Sequence, residues 1–318
     1  MNGTLLAGIQ APDLEGITSQ TLYSNGQLKT CRLNAFNAVD TPYGRMVPSF
    51  SPPGIRNKDL KSLSFYESGS VRSISLDAQV DVMTPMGSIP AELVTFYEDG
   101  LIEGIFPLNG QIGFGWSEEE EKDLAPAFDF SLPCGEFTAK PIALRFYPSG
   151  ALKSLVLWPG EIIPVTTPIG KVETRIGFRL YEDGSLESVE PAYPTKVNSP
   201  VGLVKAYDIS AVGVEADFNS LRFGPDGALQ QLATSGDAII RRNDGKRFHL
   251  RSQSRPGLLE DSLEKLPIIL KFLPGECRID NGLDSQAFKI SDCEFLFLPD
   301  FDSDEIGCRG KCGGCSMC

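Results

Sequence analysis

Apolar residues along this chain keep a fixed register around a recurring glycine. A segment of the form apolar-Tyr-x-x-Gly-x-apolar occurs at Leu22-Tyr23…Gly26, Phe65-Tyr66…Gly69, Phe96-Tyr97…Gly100, Phe146-Tyr147…Gly150 and Leu180-Tyr181…Gly184, and in weaker form at Phe223-Gly224…Gly227. Two residues past the glycine stand Leu28, Val71, Ile102, Leu152, Leu186 and Leu229; five past it stand Cys31, Ile74, Ile105, Leu155, Val189 and Leu232. Agreement at both offsets predicts a β-hairpin at each segment. Glu-Asp-Gly, Glu-Ser-Gly or Pro-Ser-Gly makes the turn with glycine at positive φ, and the flanking apolar residues fall on the buried face.

A second pattern, Pro-apolar-Gly, alternates with the first. It stands at Pro42-Tyr43-Gly44, Pro85-Met86-Gly87, Pro133-Cys134-Gly135, Pro168-Ile169-Gly170 and Pro200-Val201-Gly202, four of them preceded by Thr or Ser. The interval from hairpin glycine to this glycine is 18 residues for Gly26–Gly44, Gly69–Gly87 and Gly184–Gly202, and 20 for Gly150–Gly170. Between Gly100 and Gly135 it lengthens around an acidic run, Ser117 to Asp123, read as a solvated loop or a docking epitope.

A unit of this kind cannot bury its own face, whereas stacked neighbours can. The expected fold is all-β: stacked β-hairpin repeats forming a solenoid or an elongated twisted meander, with a small C-terminal cap and a flexible tail. The expected organisation is an N-terminal extension over 1–16, a β-repeat domain over 17–236, a β-rich cap over 237–299 and an acidic spacer with a Cys-rich tail over 300–318. Within the cap, Asn243-Asp244-Gly245 reads as a hairpin turn, Leu258 to Leu266 as a short helix before Pro267, and Ile268–Leu273 and Ala287–Leu298 as strands. The cap would cover an open sheet edge.

The hairpin core Tyr181-Glu182-Asp183-Gly184-Ser185-Leu186 resembles MORN-type repeats, closest to the bacterial variant of antitoxin-like proteins. The resemblance covers short segments between Leu22 and Leu232. It implies scaffolding and protein interaction rather than catalysis.

Charge narrows the partners. A net charge of −13 argues against a general nucleic-acid or anionic-membrane binder, which needs a basic surface. Residues Met1 to Gln20 have neither a basic start nor an apolar stretch of signal-peptide length, and no segment approaches a membrane span. The expectation is a cytoplasmic protein with a protein partner. There, cysteines serve as thiols or metal ligands rather than disulfides.

Four of the eight cysteines crowd the last 11 residues, as Cys308-x3-Cys312-x2-Cys315-x2-Cys318. Gly307, Gly310, Gly313 and Gly314 let the backbone wrap closely, and Arg309 and Lys311 place positive charge beside a thiolate cluster. Asp300, Asp302, Asp304 and Glu305 precede it as a spacer. These four cysteines are the expected metal and cofactor ligands. An iron–sulfur cluster leads, since the spacing resembles a ferredoxin-type run in reverse. Zinc and copper are the alternatives, and a metal-free tail that is modified or exchanges thiols is the runner-up. Cys308-x3-Cys312-x2-Cys315 also matches radical-SAM spacing, but no barrel follows it. The Cys312-x2-Cys315 dithiol likewise lacks the following helix that lowers a thiol pKa.

Cys31 and Cys134 occupy core positions of the two patterns, and Cys277 and Cys293 read as strand residues, with extra ligands as the alternative. Asp99, Asp183 and Asp226 precede turn glycines, where Asp suits the turn. A carbohydrate-active solenoid using paired carboxylates is the enzyme-class alternative. His249 lies in the one basic cluster, Arg241, Arg242, Lys246, Arg247, Arg251 and Arg255, which balances an acidic chain or docks an acidic partner. Trp116 and Trp158 read as packing residues. Phosphate loops, H-E-x-x-H and serine elbows are absent from the sequence.

Overall fold

Both glycine patterns fold as hairpins, and each has its own turn. The computed structural model describes residues 8–52, 54–56, 61–113, 115–211, 219–256 and 263–298. In the first pattern the tyrosine N–H bonds the carbonyl four residues on, as Tyr66 to Ser70 at 2.8 Å. The glycine N–H returns to the tyrosine carbonyl, as Gly69 to Tyr66 at 3.0 Å. All six glycines of the pattern hold φ between 77° and 89°, the left-handed region that a side chain resists. The ladder shifts register beside the turn at Thr21/Leu22, Ser64/Phe65, Thr95/Phe96, Arg145/Phe146 and Arg222/Phe223, as expected of a bulge next to a left-handed glycine.

In the second pattern the hydroxyl before the proline closes the turn. Thr84 Oγ1 donates to the Gly87 carbonyl at 2.9 Å and accepts the Met86 N–H at 3.1 Å; Thr41, Thr167 and Ser199 repeat the arrangement. Proline presets φ at the first loop position and the hydroxyl mimics a backbone turn.

Two units are distinguished, residues 1–161 with 180–184 and residues 162–179 with 185–318. The first is built on an antiparallel sheet. Its described strands pair in chain order: Ile17–Leu22, Leu28–Leu33, Leu63–Phe65, Val71–Thr84, Gly87–Phe96, Ile102–Phe106, Pro141–Phe146 and Leu152–Leu157. The hairpins Val39–Thr41/Gly44–Met46 and Phe128–Leu132/Gly135–Ala139 stand off it as two-stranded pairs. The core runs through Ile74, Val94, Phe96, Ile105, Leu144, Phe146 and Leu155, all buried.

Tyrosines join successive hairpins of this unit. The hydroxyls of Tyr23, Tyr66, Tyr97 and Tyr147 donate to the carbonyls of Phe65, Phe96, Phe146 and Leu180, each at 2.8–2.9 Å. Each acceptor is the apolar residue immediately before the next tyrosine of the pattern. Lys29, Arg72 and Lys153 lie over the rings of Tyr23, Tyr66 and Tyr147.

In the second unit Leu186–Pro191, Leu221–Phe223, Leu229–Thr234, Ile268–Leu273, Glu276–Asp280 and Ser285–Lys289 pair antiparallel in that order. The hairpins Ile163–Thr167/Gly170–Leu180 and Thr195–Ser199/Gly202–Ala206 precede them in or beside the sheet. A three-stranded sheet sets Ala238–Arg242 between Arg247–Leu250 and Cys293–Phe297, with the expected turn at Gly245.

The chain is therefore all-β apart from one short helix and one 3-10 turn among the described residues, and three local expectations change. The acidic run is not a loop: Glu118–Leu124 is an α-helix. Ser117 caps it by accepting the Glu120 N–H, while the Glu120 carboxylate accepts the Ser117 N–H. Four glutamates in its first turn suit the positive end of the helix, and it stops at Ala125, before Pro126. The expected helix over Leu258–Leu266 gives way to a strand at Leu263–Lys265 paired with Ser254–Pro256, residues 257–262 lying outside the described residues. The expected strand over Ala287–Leu298 is two strands, divided by a 3-10 turn at Ile290–Asp292. Among the described residues no helix is long and apolar enough to cross a membrane.

Candidate functional site

The four expected ligands, Cys308, Cys312, Cys315 and Cys318, lie outside the described residues. The other four cysteines have places. Cys31, Cys134 and Cys277 are buried, and burial pushes their thiols up to about 11, 11 and 12. They are protonated, inert core residues at neutral pH. Cys293 is half-buried on Cys293–Phe297, opposite Arg242. Among the described residues no group of three or more His, Cys, Asp or Glu side chains is arranged to hold a metal.

The turn aspartates serve their turns. Asp99 accepts the Leu101 N–H at 3.1 Å and Asp226 the Ala228 N–H at 3.0 Å. The basic cluster meets acidic neighbours: Arg241 pairs with Glu294 at 3.5 Å, Arg242 with Asp244 at 3.6 Å, and His249 Nε2 lies 3.3 Å from Asp237. Trp116 is a polar partner as well as a packing residue, its Nε1 donating to Glu121 at 2.7 Å. Trp158 is buried.

Four buried glutamates, Glu92, Glu121, Glu187 and Glu190, organise the polar interior among the described residues. In the first unit, Glu121 of the short helix meets Arg56, which also forks onto Glu92 at 2.9 and 3.0 Å. The Gly110 N–H donates to Glu121 at 2.8 Å, and a methyl on Gly110 would fall within 2.4 Å of that carboxylate, so only glycine fits there. Burial raises the Glu121 carboxyl, but Arg56, Trp116 and the Gly110 N–H outweigh it and hold it below its usual range. In the second unit Glu187 lies between Arg179 and Arg222, at 2.7 and 2.5 Å.

Glu190 is different. Glu190 is almost wholly buried, and burial pushes its carboxyl up to about 7 despite hydrogen bonds from the Ser220 N–H and hydroxyl at 2.7 and 2.9 Å. The nearest described guanidinium, Arg175, stays 3.9 Å away. Arg175 donates instead to the Asp208 carbonyl at 2.6 Å and stacks over the Tyr207 ring at 4.7 Å, while its Nε is buried without a partner. Its neighbour Ile176 holds φ +64°, a left-handed conformation that costs a β-branched residue about 1–3 kcal/mol. Burial also raises Asp208, whose carboxylate accepts the Ser210 N–H at 2.9 Å.

Tyr207 carries this cluster to the surface. It lines a cavity of about 200 Å³, together with Lys196, Lys205, Leu203, Phe297 and Leu298. Sequence reasoning did not reach this site. Arg175, Glu190, Asp208 and Tyr207 belong to different strands and loops, and nothing in their spacing marks them. No family model, no curated protein and no solved structure matches the chain.

Proposed function

We infer that the chain is a β-hairpin scaffold, without catalysis of its own, that docks a protein partner and carries a metal on Cys308, Cys312, Cys315 and Cys318. The observation that carries this reading is the Cys-x3-Cys-x2-Cys-x2-Cys spacing inside a glycine-rich stretch. Four soft ligands that close together suit an iron–sulfur cluster first, and zinc or copper next. The cysteines of the β units support it by contrast, since three are buried thiols held in the protonated form. The scaffold half is supported by the shared turn and by tyrosine hydroxyls reaching from one hairpin to the next. That recurrence is what stacked MORN-type hairpins would need, since each unit satisfies its neighbour's backbone. The cluster or metal would then pass electrons or the ion to a partner held on the hairpins.

The test is anaerobic purification of the intact chain beside a version ending at Glu305, with visible absorption and iron, sulfide, zinc and copper content measured on both. Iron with sulfide in the intact chain alone is the expected result. Zinc or copper alone would make the tail a metal-handling or structural site. Metal-free protein with four reactive tail thiols would refute the metal reading and leave a scaffold with a modifiable tail.

A further inference from the structure

The two hairpin patterns of the first unit leave a furrow between them. Along one side stand the tyrosine turns, with Leu101, Gly150 and Gly184; along the other stand the proline tips, with Tyr43, Pro85 and Pro133. Two cavities of about 180 and 250 Å³ lie along it, and Pro85 and Gly150 are walls of both. The two rows come close: a methyl on Gly150 would stand 3.0 Å from Pro85 Cγ, and one on Gly184 3.4 Å from Pro133 Cγ.

The first cavity is built of rings and hydroxyls. Tyr43, Phe146, Tyr147 and Pro148 line it, and its polar side chains are those of Tyr43, Thr84, Tyr147 and Ser149. The Thr84 and Tyr147 hydroxyls donate to the carbonyls of Gly87 and Leu180. Tyr43 accepts the Ile102 N–H at 3.1 Å, and its own hydroxyl hydrogen has no acceptor among the described residues. That hydrogen suits a carbonyl, and a run of prolines is a ligand with carbonyls and no N–H. Pro148 stands where the sister turns carry Glu67, Glu98 and Glu182, so the furrow is apolar at this turn. The second cavity restores the charge. Glu182 and Asp183 line it, and no basic side chain does among its described walls.

The spacing of the hairpins fits one peptide conformation. The hairpins Gly87–Phe96/Ile102–Phe106 and Pro141–Phe146/Leu152–Leu157 are neighbours in the sheet, so their turns repeat after two strands, about 9.5 Å. A polyproline II helix completes one turn in three residues and about 9.3 Å. A chain of that form lying along the furrow presents the same face to each hairpin in succession.

We propose that this furrow docks a proline-rich segment of a partner protein in the polyproline II conformation, with its prolines against Tyr43, Pro85 and Tyr147 and a basic residue beside Glu182. Rings and prolines receive the pyrrolidine faces, and the acidic end fixes the direction of the segment. The proposal rests on the docking half of the function inferred above and is independent of the tail metal.

Fluorescence anisotropy on the full-length chain tests it, using a labelled peptide of eight prolines followed by two arginines. Two further peptides serve as controls, one ending in two glutamates and one with glycine-valine repeats in place of the prolines. Saturable binding of the arginine peptide is expected, with weak binding of both controls. Pro148→Glu, a residue the sister turns already accept, places a carboxylate in the apolar cavity and is expected to weaken binding by about tenfold or more, with an unchanged circular dichroism spectrum. Glu182→Lys is expected to weaken the arginine peptide by about threefold to fivefold and to strengthen the glutamate peptide by as much. Binding that survives Pro148→Glu and disappears in salt is attraction to an acidic chain, and overturns the proposal. Equal binding of the glycine-valine peptide overturns the proline reading while leaving partner docking in place. No binding of the arginine peptide overturns the proposal and touches neither docking elsewhere on the hairpins nor the metal, which the purification of the intact and shortened chains decides separately.

Discussion

Replacing Glu190 with glutamine removes a titration while keeping the shape of the side chain and its hydrogen bonds to Ser220. The glutamine carbonyl can accept the Ser220 N–H and its amide can donate to the Ser220 hydroxyl. In the native chain burial holds the Glu190 carboxyl up to about 7, against an ordinary 4.5. Below 4.5 the group is protonated folded or unfolded and has no effect on the pH dependence. Between 4.5 and about 7 the unfolded chain has released this proton and the native chain keeps it, so stability falls as pH rises, by about 1.4 kcal/mol per pH unit. The loss across the window is about 3 kcal/mol, and it is constant at higher pH. No solvent discount applies, since the residue is 1% exposed.

Glu190→Gln carries no such loss. Its stability relative to the wild type is expected to rise by about 2–3 kcal/mol between about pH 5 and about pH 8, and to stay level above that. Both tryptophans, Trp116 and Trp158, belong to the first unit, so a probe within the second unit is chosen for Glu190. The suitable assay is amide exchange in graded urea, followed in peptides from Leu186–Pro191 and Leu221–Phe223. A wild-type-to-variant difference that is independent of pH, or that grows against the glutamine, would refute the assignment of a buried, uncompensated carboxyl.

Glu121→Ala leaves Arg56 with half of its carboxylate fork and is expected to destabilise the first unit by about 3 kcal/mol, read by urea unfolding with tryptophan fluorescence. Gly184→Ala forces a side chain to φ +84°, where its methyl would also sit 3.4 Å from Pro133; a loss of about 1–2 kcal/mol is expected by the same denaturation followed by far-UV circular dichroism. In a reduced, metal-free native chain, alkylation mapped by mass spectrometry should leave Cys31, Cys134 and Cys277 unmodified while the tail cysteines react, and rapid labelling of Cys277 would contradict its burial.

What was legible in the sequence was whatever local physics dictates. A glycine needing positive φ, a proline opening a turn and apolar residues at fixed offsets each act within a few residues. All-β class and both turn types followed from them, as did the buried settings of Cys31 and Cys134. The helix at Glu118–Leu124 is obscured by its run of like charges, although Ser117-x-x-Glu120 is a capping-box signature. Its buried Glu121 could not be foreseen, because the Arg56 that makes burial tolerable lies 65 residues away. Strand pairing hid the rest. Leu186–Pro191 buries every residue, including two glutamates, because both faces are covered, and alternation cannot report a strand of that kind.

Glu121, Glu187 and Glu190 share one problem and do not share one solution. Each is a carboxylate removed from water, which is tolerable when a guanidinium and further donors replace the lost hydration. Glu121 and Glu187 have such partners within 2.8 Å. Glu190 does not, because Arg175 is turned away at 3.9 Å toward Tyr207 and the Asp208 carbonyl, beside the left-handed Ile176. A raised carboxyl, an unpartnered guanidinium nitrogen and a strained isoleucine therefore fall within one cluster of the second unit. Core packing alone would not retain that arrangement, since a hydrophobic side chain at 190 with a relaxed strand at 176 would remove the first and the last of these costs. What the arrangement does achieve is an Arg175 guanidinium stacked over the Tyr207 ring, and that tyrosine lines the lysine-flanked cavity. Strain of this kind concentrates where a surface has to be held in one shape for binding, and the surface it borders here is the lysine-flanked cavity.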